Sequence, residues 1–89
     1  MDAVSALLST MEAAVSSRLD PRDLDAFERQ LKICRRMPQR EMTPKAMDIA
    51  MIAEVLYESI RLNVLTEQSL LELQMCFNSL REMYSGDSL

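Results

Sequence analysis

Three pairs of residues, Asp20-Pro21, Thr43-Pro44 and Thr66-Glu67, punctuate this chain at equal intervals. Each puts a short oxygen-bearing side chain where a helix N-cap requires one. In the first two, a proline follows at the first helical position, where its missing N–H costs nothing. In the third an acid follows, favoured by the helix dipole. Caps at 20, 43 and 66 cut the 89 residues into four stretches, each suited to one helix of similar length. One glycine and three prolines leave little material for hairpins or phosphate-cradling loops. The expected fold is therefore all-α: a small antiparallel bundle of about four helices. It forms one domain over residues 1–84, with a tail at 85–89 expected to fray.

Apolar periodicity fills in the helices. Over 3–18, Val4, Leu7, Leu8, Met11, Val15 and Leu19 recur at helical spacing and form a narrow stripe. Ser5, Ala6, Ser9, Ala13 and Ser16 lie opposite and are expected to face water. Over 21–37, Leu24, Phe27, Leu31 and Cys34 make a clean seam. Over 44–62, Ala46, Ile49, Ala50, Ala53, Leu56, Tyr57 and Ile60 give the broadest face. Over 67–84, Leu70, Leu73, Cys76, Phe77, Leu80, Met83 and Tyr84 are the expected core positions.

These stripes leave apolar residues over. Met47, Met51, Val55 and Leu62 fall on the far side of the third helix, with Glu58 interrupting the row. Ile33 and Met37 lie opposite the seam of the second helix, and Leu71 and Met75 form an i, i+4 pair outside the stripe of the fourth. A helix apolar all round is usually a buried one, so the third helix could be the centre of the bundle. A short four-helix chain has few neighbours with which to surround it, and the stripe of the first helix looks too narrow to bridge two. The sequence therefore favours Met47, Met51, Val55, Leu62, Ile33, Met37, Leu71 and Met75 as a partner-binding surface. The eight methionines suit an adaptable contact. A homodimer is the first form expected, since two-fold closure is the commonest oligomer symmetry.

Charge is unevenly spread. The segment KICRRMPQREMTPK, residues 32–45, holds five of the ten basic residues in a chain of net charge −4. Asp25 can pair with Arg29 and Glu28 with Lys32, each one turn apart. Arg35 and Arg36 fall at a helix C-terminus, where cations complement the dipole. Arg35, Arg36 and Arg40 remain as a weak candidate site for an acidic partner. Nucleic-acid binding would want a basic chain with stacking aromatics, yet the pI is near 4.7 and no aromatic separates Phe27 from Tyr57.

Catalytic chemistry has few materials here. Without histidine the chain lacks the usual general base and the commonest metal ligand. Glu54 and Glu58 share a face, but a di-iron bundle also needs a Glu-x-x-His. Cys34 and Cys76 make no C-x-x-C and are expected as buried free thiols of a reducing compartment. MDAVSALLSTMEAAV lacks the basic start of a signal peptide, and no apolar run approaches the length of a membrane span. The expectation is a cytoplasmic, non-enzymatic protein–protein interaction module without cofactor, adaptor or chaperone-like. The alternative is a small transcriptional or nucleic-acid-associated regulator using residues 32–45.

Overall fold

A computed structural model describes residues 3–87, with the side chains of Gln39 and 83–87 outside the description. Four helices follow in order: α1 (Ala3–Ser16), α2 (Pro21–Arg35), α3 (Pro44–Arg61) and α4 (Glu67–Asp87). A short 3-10 turn, Gln39–Glu41, sits in the linker after Pro38. The three caps act as the sequence requires. The Arg22 amide donates to Asp20 Oδ1 at 2.9 Å. The Ala46 amide reaches Thr43 Oγ1 at 3.1 Å, and Ser69 reaches Thr66 Oγ1 at 3.1 Å.

Contacts between helices fix the topology. Gln30 Nε2 donates to the Ala3 carbonyl at 3.1 Å, so the end of α2 lies beside the start of α1. Arg35 meets Glu54 while Glu28 meets Tyr57, so α2 and α3 also run oppositely. Arg18 meets Glu67 and Glu12 meets Arg81, which sets α4 antiparallel to α1. The order is up, down, up, down. The radius of gyration, 12.5 Å, is near the roughly 12 Å of a compact domain this long.

Helix α1, not α3, is the hub. Both α1 and α3 touch the three other helices, but α1 buries six of its 14 residues and α3 four of its 18; among the described residues α2 and α4 do not touch. Leu7, Met11, Ala14 and Val15 are fully buried, with Val4 and Leu8 nearly so. Its small face corrects the expectation of water: Ser5, Ala6 and Ser9 are half-buried, and Ala13 and Ser16 alone of that set are exposed. The physical reason is charge rather than stripe width. Glu12 is the one charged residue in the fourteen of α1, and short side chains let neighbours approach on several sides. Phe27, Leu31, Cys34, Ala46, Ile49, Ala53, Leu56, Leu70 and Phe77 complete the core, which holds no buried polar or charged residue among those described.

Helix α1 ends without glycine. Arg18 and Leu19 take positive φ of 58° and 66°. The Leu19 amide bonds the Ala14 carbonyl and the Arg18 amide bonds Val15, the pattern of a Schellman turn. Left-handed backbone costs a residue with a Cβ about 1–2 kcal/mol. Arg18 offsets this by donating to the Val15 and Ser16 carbonyls and to Glu67 at the head of α4. Asn63 does the same for α3 at φ 55°, where asparagine is well tolerated.

Candidate functional site

The two flanks of α3 are built differently. Towards α2 the seam is closed. Phe27 and Tyr57 meet edge to face with centroids 6.5 Å apart. Arg35 lies over the Tyr57 ring at 5.4 Å and donates to both oxygens of Glu54, at 2.6 and 2.7 Å. This pairing holds the Glu54 carboxyl below its ordinary range and raises Arg35, the hydrogen bond being the main cause in each. Tyr57 donates its hydroxyl to Glu28 at 3.3 Å.

Towards α4 the seam stands open. A groove of about 450 Å³ is lined on the α3 side by Met51, Ile52, Val55, Leu56 and Ser59. Leu65, Ser69, Glu72, Leu73 and Cys76 line the other wall. Helix α4 is fastened to the other side. Arg18–Glu67 at its head, Gln74–Ser16 in its middle and Arg81–Glu12 further on all tie it to α1. No polar bond joins α4 to α3 among the described residues. Between α1 and α4 a smaller hollow of about 210 Å³, lined by Glu12, Ser16, Gln74, Phe77 and Asn78, is bridged by these polar links.

The residues proposed as partner-binding divide by position. Met51 and Val55, 64% and 62% exposed, form the outer lip of the groove on α3. Met47 and Leu62 are exposed on the same helix and prolong that lip at either end, since each lies a whole number of turns from it. Leu71 and Met75 are exposed on the back of α4, facing away from Leu70 and Phe77, and do not line the groove. Ile33 is exposed on α2, remote from it. Met37 is half-buried where α2 gives way to the linker, which takes it out of the open surface.

Two further expectations are corrected. Arg35 is not available to an acidic partner, because Glu54 and Tyr57 occupy it. Arg36 and Arg40 remain exposed, with no ion pair among the described residues. Cys76 is exposed rather than core, whereas Cys34 is buried and its thiol donates to the Ala3 carbonyl at 3.4 Å. Periodicity could not separate these two thiols. Cys76 sits on the stripe of α4, but on the edge of it that α3 fails to cover. Met83 and Tyr84 lie outside the described side chains.

Among the described residues no three Asp, Glu or Cys side chains gather as metal ligands. No described helix is long and apolar enough to cross a membrane. Compared with known protein families, curated proteins and solved structures, the chain matches none.

Proposed function

We propose that this protein is a non-enzymatic interaction module, adaptor or chaperone-like, that binds an amphipathic helix of a protein partner between α3 and α4. The groove supports this: two helices form its walls, its lining is apolar, and its lip carries two exposed side chains in register. Helix-in-groove recognition uses such a surface, reading anchors at i, i+4 and i+7. Covering Met51 and Val55 is worth about 1.5–3 kcal/mol each when complete. Association costs about 4–15 kcal/mol, so the deeper lining, Ile52, Leu56, Leu65 and Leu73, must contribute for binding to be stable.

A second copy is the other occupant this surface supports. The row Met47, Met51, Val55 and Leu62 borders the groove, and a two-fold contact requires ridge and groove on one patch. Against a nucleic-acid role, Arg35 is engaged by Glu54, which leaves Arg36 and Arg40 as the open basic pair. Two free cysteines fit a reducing, cytoplasmic setting.

The test uses a neutral amphipathic peptide, with leucines on one face and glutamines on the other, followed by hydrogen exchange. Protection of the facing turns of α3 and α4, lost in Met51→Lys while circular dichroism is unchanged, is the expected result. Exchange unaltered at any concentration would sink the groove as a binding site. Sedimentation of the free protein, wild type against Met51→Lys, reads self-association in parallel.

A further inference from the structure

Glu72 is the one charged residue lining the groove, and its sole described partner is the Gln68 amide one turn back, at 3.2 Å. No cation of the described residues faces it. The other cross-helix carboxylates are matched: Glu12 by Arg81 at 2.8 Å, Glu54 by Arg35 at 2.6 Å, Glu67 by Arg18 at 2.9 Å. The chain from Ala46 onward has seven acids against Arg61 and Arg81. Both arginines are taken, Arg81 by α1 and Arg61 by Glu58 at 3.8 Å. The groove hydroxyls offer no charge either: Ser59 donates to the Val55 carbonyl, and Ser69 is bonded to Thr66.

From this we infer that the occupant of the groove is a basic amphipathic helix. Its apolar anchors lie along Met51, Val55 and Leu73, and a lysine or arginine on its flank stands over Glu72. The inference rests on the helix-binding reading above and adds the chemistry of the partner. A carboxylate at the wall of an apolar groove interacts with a cation through a lower effective dielectric than water once the groove is filled. The surrounding negative surface draws such a helix in and orients it. Glu72 also disfavours a two-fold dimer that would bring the α4 walls of two copies together. It likewise rejects an acidic helix with the same apolar face, and that gives selectivity.

Three labelled peptides test it, each about 18 residues long to carry the i, i+4 and i+7 anchors. They share one leucine face and differ only in a polar face of lysine, glutamine or glutamate. Fluorescence anisotropy should rank them lysine, glutamine, glutamate, with lysine over glutamate by about tenfold or more, as a charged contact implies. Glu72→Gln should shrink that ratio several-fold while the glutamine peptide binds as before. Equal binding of all three, abolished by Met51→Lys, would overturn the basic partner and leave the groove intact. A lysine preference that survives both Glu72→Gln and Met51→Lys would mean diffuse attraction to an acidic surface, and would overturn the inference. No binding by any of the three would overturn the groove itself. So would a dimer that keeps all three out.

Discussion

Helix α3 meets α2 and α4 at two seams, and the chain spends its side chains on them in opposite ways. On the α2 side, Phe27, Tyr57, Arg35, Glu54 and Glu28 lock into ring contacts and hydrogen bonds. On the α4 side, Met51, Val55 and Cys76 stand open over a groove. The polar side chains follow the same division. Arg81 and Glu67 of α4 meet Glu12 of α1 and Arg18 just beyond it, and Arg35 and Glu28 of α2 meet α3. The groove walls of α3 and α4 share no polar bond among the described residues. The open seam thus coincides with the one across which the described residues make no polar tie, although each such tie contributes little energy.

The comparison is most easily broken at its rings. Phe27 is 1% exposed, and Phe27→Ala should cost about 3–5 kcal/mol, the expectation for a buried aromatic. Val55→Ala, across the helix, should stay within about 0.5 kcal/mol. Urea denaturation of the two variants checks both. Similar losses would mean that the groove is as much a part of the core as the closed seam.

The cysteines read the same contrast chemically. Cys76 lies on the open seam and should react with a thiol reagent at nearly the rate of a free peptide. Cys34 is buried at 4% exposure and should react only when the helices part. For a domain of ordinary stability that is a ratio on the order of 10³. Equal rates would remove the distinction. Slower labelling of Cys76 with the lysine peptide bound would sharpen it, because the peptide must then cover the groove.

Thr43 starts the helix that both seams share. Thr43→Ala removes the oxygen that accepts the Ala46 amide at 3.1 Å, and should cost about 0.5–2 kcal/mol. An unchanged urea midpoint with an unchanged slope would show that α3 is held by its neighbours rather than its cap.

The smallest effect concerns the ion pair that closes the α2 side. Glu54 has a lowered pKa, so its contribution is present above the ordinary carboxylate value and fades as pH falls through the depressed one. Arg35 stays charged throughout that range. Both side chains are nearly half exposed, at 45% and 44%, so the pair is worth about 0.2–1 kcal/mol. Arg35→Ala should lower the urea midpoint slightly at neutral pH and progressively less as pH falls below the ordinary carboxylate range, where Glu54 loses its charge. A loss of the same size at every pH would assign the role of Arg35 to its stacking on Tyr57.

The chain announces its helices in local terms. A cap is a contact between residues two or three apart, so Asp20, Thr43 and Thr66 could be read without knowing what lies beyond. The same is true of Phe27, Leu31 and Leu70, whose spacing fixes a face and whose size fixes burial. The exposure of Met51, Val55, Leu71 and Met75 was also legible, because each falls outside the main stripe of its helix. Met37, Arg35 and Cys76 were not. Met37 depends on how the chain leaves α2, Arg35 on a carboxylate nineteen residues away, and Cys76 on the distance between two helices.

The central place of α1 is legible from charge and not from periodicity. A helix with one charged residue in fourteen can be surrounded whatever the width of its apolar stripe, because small uncharged side chains bury at little cost. The sequence by itself determined four capped helices, their apolar faces and an apolar surplus on α3, since these rest on propensity, capping and spacing within one helix. Tertiary structure decided that α4 is tied to α1, and that Glu72 and Cys76 look across a gap at Met51 and Val55. Those outcomes depend on long side chains meeting across tens of residues, and helical periodicity carries no record of such meetings.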